Sequence, residues 1–439
     1  KVVLPNSFFG EKNTCAEKVF GDWCNNPDKI HTADLYLNGK SMYETNSPER
    51  VYQPGPSKNS RDKEGAGFTW YCTVDEQNTT IWANFQKHDP NKELVEISVR
   101  MTCFYPGEPG VNYITIREFD FSQAATQWAA PTAGQVGMIS THWNKGWIIE
   151  NNTVHDTKCT GITLGKEHGT GHNVWSNDPS YDGSLHYIEV VFRVLRNGWS
   201  RGDIGSHIVR HNEIYNCEQT GICGSMGAVF SVIENNHIHH IHNKKQFTGA
   251  ELAAIKIHAG IDLTVRKNRI NDSGAFGSWF DWMTQGTRIT QNLYYNNDWQ
   301  DLFFEVNHGP YLVDNNLLLS TTSIATQSEG GAFVHNLILG KMTIWSDPGR
   351  FTPYHLPHST DIAGLSTVVA GDDRYYNNIF VGNNGQTKTE KGEGFGLSAF
   401  NIPDTIPENF PNNHTNLFSR WPVYIDGNVY YSGALPYNR

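Results

Sequence analysis

The sequence predicts an all-β protein, a parallel β-helix preceded by an accessory β-sandwich region. The first observation is a repeat. An Asn, one variable residue and an apolar residue recur in Asn152-Thr153-Val154, Asn212-Glu213-Ile214, Asn236-His237-Ile238, Asn268-Arg269-Ile270, Asn292-Leu293-Tyr294, Asn316-Leu317-Leu318, Asn336-Leu337-Ile338 and Asn378-Ile379-Phe380. Steps of 20 to 24 residues dominate, and longer steps contain insertions. The second observation is that short β-branched runs between Gly and Asn turns fill each period, which indicates a β-solenoid rather than a helical one. Asn suits the bend of a coil because it tolerates the left-handed conformation, and it can ladder with the Asn of the next coil. The Leu-x-x-Leu-x-Leu frame of a leucine-rich repeat is missing. The third observation is that residues 1–108 lack the repeat and alternate apolar with polar positions.

In that N-terminal region the runs Asp34-Leu35-Tyr36-Leu37, Thr80-Ile81-Trp82-Ala83 and Val95-Glu96-Ile97-Ser98-Val99 predict antiparallel sheet with one wet face. Pro106-Gly107-Glu108-Pro109-Gly110 marks a boundary. Residues 109–439 are then the β-helix and catalytic domain, opening with Tyr113-Ile114-Thr115-Ile116 and Gly137-Met138-Ile139-Ser140. Two insertions interrupt it. Between Cys159 and Gly205, Leu185, Ile188, Val191, Phe192 and Leu195 fall at helical spacing and are expected to face a core. From Trp345 to Arg374, a Pro/Gly-rich stretch around Pro353-Tyr354-His355-Leu356-Pro357-His358 is expected to form a long loop at the rim of a site.

The composition narrows the function. The chain carries 34 basic and 45 acidic residues, a net charge of −11, with no Lys/Arg cluster, which argues against a nucleic-acid partner. No apolar run reaches membrane-spanning length, and no charged-then-apolar signal segment opens the chain. The sequence begins at Lys1 without Met, which fits either processing or a piece of a longer protein. Seven cysteines, Cys15, Cys24, Cys72, Cys103, Cys159, Cys217 and Cys223, form neither a paired framework nor a zinc spacing. Free buried thiols are expected, with a slight lean towards a reducing, cytoplasmic compartment. A homo-oligomer is compatible with everything in the sequence.

Asp281 and Glu305 are the candidate catalytic pair. They stand 24 residues apart, and each lies 13 residues after a repeat Asn, Asn268 or Asn292. If one repeat is one coil, the two acids stack on adjacent strands about 4.8 Å apart. A retaining glycosidase needs its two carboxyl groups about 5–5.5 Å apart. Flanking Phe280 and Trp282, and Phe304 and Val306, are expected to point inward, which turns both acids outward on one face. Like charges stacked so closely are unfavourable unless one takes a proton, and that splitting suits an acid and a nucleophile.

Upstream, Glu251 opens the strand Glu251-Leu252-Ala253-Ala254-Ile255-Lys256-Ile257-His258, in which Lys256 and His258 alternate with Ile255 and Ile257. The spacing leaves the register open by one residue, with His258 a candidate neighbour of Asp281. Glu329, a further 24 residues on, is expected to be a turn residue beside Gly330-Gly331. The run His237-Ile238-His239-His240-Ile241-His242 looks like a metal tract, but a strand with polar faces is the simpler reading, because no Cys or carboxylate completes a ligand set. No metal and no cofactor is expected.

The segments Trp279-Phe280-Asp281-Trp282-Met283-Thr284-Gln285-Gly286-Thr287-Arg288 and Asp301-Leu302-Phe303-Phe304-Glu305-Val306-Asn307-His308-Gly309-Pro310 resemble the β-xylosidases of glycoside hydrolase family 120. Gly249-Ala250-Glu251, Ile255-Lys256-Ile257-His258, Ile30-His31-Thr32, Leu35-Tyr36-Leu37-Asn38-Gly39 and Thr352-Pro353-Tyr354-His355 are similar to that family too. The resemblance implies a right-handed parallel β-helix with an inserted β-sandwich, and release of xylose from the non-reducing end of xylo-oligosaccharides with retention. It implies Asp281 as nucleophile, Glu305 as acid/base and Glu251 as a sugar-binding carboxylate in the same pocket. Trp23, in Gly21-Asp22-Trp23, resembles a family aromatic near the xylose. Lys256 and His258 are expected to join the substrate site.

Two other readings remain open at this stage. A β-helix polysaccharide lyase or polygalacturonase-like hydrolase would need a Ca²⁺ cluster with an Arg/Lys base, or a wider acid pair with a basic pocket, for which Arg288 and Lys256 are the candidates. A non-catalytic glycan-binding β-helix would use its aromatic residues for stacking.

Overall fold

The computed structural model describes residues 1–19, 24–25, 30–55, 59–171, 183–345, 347–368, 370–384, 392–401 and 424–438. Among the described residues three sheets of ten, nine and ten strands run side by side as a β-helix, their strands pairing in parallel from coil to coil except that Glu393–Gly394 pairs antiparallel with Lys341–Ile344 at the end of the nine-stranded sheet. The apolar residue of each repeat points inward. Val154, Ile214, Ile238, Ile270, Tyr294, Leu318, Ile338 and Phe380 are all buried in one continuous core.

The repeat Asn residues form the expected ladder. From Asn152 through Asn212, Asn236, Asn268, Asn292, Asn316, Asn336 and Asn378, each Nδ2 donates to the Oδ1 of the next Asn at 3.0 Å, and the series continues to Asn428. The same Oδ1 accepts a backbone N–H, and the second amide hydrogen reaches a backbone carbonyl, as from Asn292 to the oxygens of Asn316 and Val265. Every polar group of the buried amide is thereby used, which burial demands. The bend itself falls one residue earlier than the sequence suggested. Positive φ belongs to Asn151, His211, Asn235, Lys267, Gln291, Asn315, His335 and Asn377, the residues before the ladder.

At the N-terminus, Val2–Pro5, Asn78–Asn84, Thr69–Val74 and Tyr43–Glu44 form a four-stranded sheet, and Lys40–Ser41, Leu35–Leu37 and Val95–Ile97 a three-stranded one. Phe9, Leu35, Leu37, Trp70, Cys72 and Ile81 are buried in the core of this region. The smaller sheet has no wet face at Leu35–Leu37, because it docks on the β-helix. Tyr36 Oη donates to the Asp156 carbonyl at 3.0 Å, and Lys244 and Lys158 reach from the helix to Asp34 and Glu44, each at 3.0 Å. The six cysteines whose side chains are described form no disulfide.

The first insertion contains the α-helix Gly183–Arg196. Its buried face is His186, Tyr187, Val190, Val191 and Val194, so the expected stripe is rotated, with Leu185 56% and Phe192 45% exposed. Tyr187 sets the rotation by packing edge-on to His258 and Trp282. The second insertion is an antiparallel hairpin, Asp347–His355 with Ile362–Val368, rather than an irregular loop. It is tied to the coils where Gln285 and the His355 backbone exchange two hydrogen bonds, at 2.9 and 3.0 Å, and where His308 meets Thr352 at 2.8 Å. Among the described residues no helix is long and apolar enough to cross a membrane.

Candidate active site

The strands Ala253–His258, Phe276–Asp281, Leu302–Glu305 and Thr322–Gln327 are consecutive in the nine-stranded sheet. Their pairing puts His258 beside Asp281, Asp281 beside Glu305 and Glu305 beside Gln327. The register left open in the sequence is thus settled for His258. The two acids are direct partners on neighbouring strands, which lie about 4.8 Å apart in a β-sheet. Glu329 lies outside this column and hydrogen-bonds His308.

Alternation holds for Phe280 and Phe304, which enter the helix core. It fails for Trp282 and Val306. Both have positive φ, 40° and 46°, and both join a separate cluster under the α-helix instead of pointing inward. The turn of the backbone directly after each acid makes Trp282 a wall of the pocket.

Two side chains hold Asp281. Lys256 Nζ donates to its Oδ2 at 2.7 Å, and His258 Nε2 stands 3.3 Å from the same oxygen. The same two side chains reach Glu251, from Lys256 Nζ at 3.6 Å and from His258 Nε2 at 3.2 Å. Lys256 also lies over the Trp279 ring, 3.2 Å from its centre. Glu305 is ion-paired with Arg350, whose guanidinium lies 5.4 Å from the Trp282 ring centre. Asp281 Oδ1 is buried without a hydrogen-bond partner. The carboxylate therefore has one oxygen clamped and one free.

The two acids are pushed apart in acidity. Burial raises Asp281, but the charges of Lys256, His258 and Arg350 and the Lys256 hydrogen bond outweigh it, and its pKa falls below the ordinary value. For Glu305, burial and the negative charge of Asp281 outweigh Arg350 and Lys256, and its pKa rises to about 7. Asp281 sits deeper, with 4% of its side chain exposed against 14% for Glu305. The arrangement holds an anion at depth and, below about pH 7, a carboxylic acid near the mouth, the two forms that covalent displacement with proton donation requires.

A cavity of about 260 Å³ opens over this group, lined by Glu251, His258, Trp279, Asp281, Glu305 and Arg350 among others. A larger cavity of about 500 Å³ lies between the N-terminal region and the β-helix, but its acids and bases neutralise one another, as in the Lys244–Asp34 pair. Of the residues singled out in the sequence, Asp281, Glu305, Glu251, Lys256 and His258 come together. Trp23 lies outside the described residues. Arg350, Trp279, Trp282 and Tyr187 were not singled out, although Arg350 belongs to the insertion expected at the rim. Arg288 is on a different sheet and is bound to Asp314 at 2.8 and 2.7 Å, so it does not serve this pocket. The histidine run also differs from expectation, since Glu213 of the neighbouring coil pairs with His237 and supplies the missing carboxylate.

Comparison with known proteins bears on the family. A family model described as the glycoside hydrolase 120 insertion domain matches residues 1–97, and one for the right-handed β-helix region matches residues 190–338. No curated protein matches the chain. Among solved structures, that of XylC in complex with xylose is 46% identical and superposes with a TM-score of 0.91, over 99% of this chain and 70% of that one. An insertion domain ahead of a right-handed parallel β-helix and a near-complete match at this identity have one meaning: the chain belongs to glycoside hydrolase family 120.

Proposed function

We propose that the chain is a retaining exo-β-xylosidase that releases xylose from the non-reducing end of xylo-oligosaccharides by double displacement. The observation that carries this reading is the direct pairing of Asp281 with Glu305, the first lowered in pKa and the second raised. Neighbouring strands supply about 4.8 Å, close to the roughly 5–5.5 Å of retaining enzymes and short of the roughly 6.5–9.5 Å that inversion uses to admit a water.

Asp281 Oδ1 attacks the anomeric carbon while Lys256 and His258 hold Oδ2. The glycosidic bond breaks as Glu305 gives its proton to the departing oxygen, leaving a xylosyl ester on Asp281. Glu305, now ionised, takes a proton from water. That water's oxygen bonds to the anomeric carbon and displaces Asp281, restoring both carboxyl groups and giving β-xylose. Glu251, fixed by His258 and Lys256, accepts hydrogen bonds from sugar hydroxyls, and Trp279 and Trp282 wall the ring. The cavity is smaller than the roughly 300–1,000 Å³ of sites for drug-sized ligands, which favours one terminal ring and hence exo action. The xylose bound by XylC supports xylose as the glycone.

Proton NMR of the first-formed sugar tests the reading. A β-xyloside should yield β-xylose before mutarotation, and initial α-xylose would overturn the retaining assignment.

A further inference from the structure

The histidine run His237–His242 plays no part in the chemistry above, and it lies on a different sheet from the acids. Parallel pairing sets Glu213 against His237 and Tyr215 against His239, while His239 pairs onward with Asn271. The hydrogen positions follow from the neighbours. Asn271 Nδ2 donates to Asp272 Oδ2 at 2.6 Å, which fixes the amide and turns its oxygen towards His237 Nε2, 3.0 Å away. That oxygen can only accept, so Nε2 carries a hydrogen, and Nδ1 is the ring atom left to meet a ligand. It faces Glu213 Oε1 at 3.7 Å.

His239 Nδ1 lies 2.6 Å from His240 Nδ1, a contact that needs one hydrogen. With His240 as its donor, His239 Nε2 gives its own hydrogen to the same Glu213 oxygen at 3.4 Å, and it becomes a ligand atom when that hydrogen moves to Nδ1. The His239 ring is held in place by stacking on Tyr215 at 5.1 Å, and Tyr215 stacks in turn on His155 at 4.8 Å. Three potential ligand atoms from two adjacent coils thus converge within 4.8 Å of one another. A cation placed among them would take over the role of the ring hydrogen that links His239 to Glu213.

We propose that Glu213, His237 and His239 form a binding site for a divalent transition-metal ion of the zinc class, with water as the remaining ligand. Zinc takes imidazole nitrogen at about 2.0–2.1 Å and carboxylate oxygen at about 2.0–2.2 Å, so two ligands of a tetrahedral ion lie roughly 3.3 Å apart. The 3.4 and 3.7 Å separations from Glu213 need little closure, and the two imidazole nitrogens, within 4.8 Å of each other, close on the ion by rotation of the His237 side chain. Two imidazoles disfavour Ca²⁺ and Mg²⁺, which take oxygen. Asn271 is the outer partner that orients a ligating imidazole. Glu213 is 52% exposed along its side chain, which leaves the ion open to water. The trio Glu251, His258 and Asp281 also clusters, but the Lys256 ammonium already supplies its positive charge. The ion joins the coil of Glu213 to the coil of His237 and His239, so its role is to clamp them.

The test uses the whole chain after dialysis against a chelator. Calorimetric titration with Zn²⁺ should show one equivalent bound with micromolar affinity, Co²⁺ should give the visible bands of a four-coordinate ion, and zinc should raise Tm. In H237A/H239A the binding, the cobalt bands and the rise in Tm should all be lost, with turnover of an aryl xyloside unchanged. Glu213→Gln, an exposed change that spares the fold, should weaken binding at least tenfold, and Asn271→Ala by about tenfold or more. Binding no tighter than millimolar in the parent chain, or equal binding by the parent and Glu213→Gln, would overturn the proposal.

Discussion

Glu305 has two opposed neighbours, and the balance between them sets how the proposed enzyme responds to pH. Its pKa is raised to about 7, so the acid form needed for proton donation predominates below that pH and is lost above it. The alkaline limb of kcat/KM should lie near pH 7 and should flatten in Glu305→Ala. That variant should lose roughly 10²–10⁴-fold on xylobiose and far less on a nitrophenyl xyloside, whose leaving group needs no proton. Equal losses on both substrates, with no rescue by azide, would move the proton donor to Glu251. Arg350→Met gives the complementary result. Removing a cation beside an acid favours its neutral form, so the limb should move to higher pH, and Asp281 should also become easier to protonate. A limb that moves down would mean that Arg350 does not face an ionising Glu305.

At the scale of elements, the sequence disclosed the strands far better than it disclosed what covers them. The adjacency of Asp281 and Glu305 was legible because a fixed coil length converts sequence spacing into spatial adjacency, whereas the shorter step after His258 left its register open by one residue. Trp282 and Val306 were misread because strand alternation was extended one residue past the end of each strand, where positive φ turns the chain out of the sheet. Arg350 could not be singled out, because its place depends on how the hairpin folds and where it is pinned by Gln285 and His308. The α-helix shows the same limit. Its apolar periodicity located the element, but Tyr187 and its ring contacts choose the buried face. Accordingly, Phe192→Gln should change stability by no more than about 0.5 kcal/mol, as at an ordinary surface position. Val191→Ala should cost about 1–3 kcal/mol, read from urea denaturation. The reverse order would mean that the helix packs by its other face.

For the whole molecule, the ladder of Asn side chains is the feature common to almost every coil. Asn292→Ala removes the acceptor of two Asn268 donors and the donor that reaches Asn316 and Val265. Buried groups left unpaired cost about 1–3 kcal/mol each, so the loss should be several kcal/mol and visible as a lower denaturation midpoint. Asn428→Ala, in the last described rung and only half-buried, should cost less. Equal and small effects would mean that water replaces the ladder freely.

The column Ser225, His258, Asp281, Glu305 and Gln327 shows what such a scaffold permits. Each position is the same socket presented again by the next coil, so the distance between any two neighbours is a property of the backbone and independent of which letters fill them. A reactive pair could in principle occupy any adjacent sockets. What gives this pair its address is the furniture around it: Lys256 and Glu251 on one side and the Arg350 hairpin on the other, which make two otherwise equivalent rungs chemically unequal.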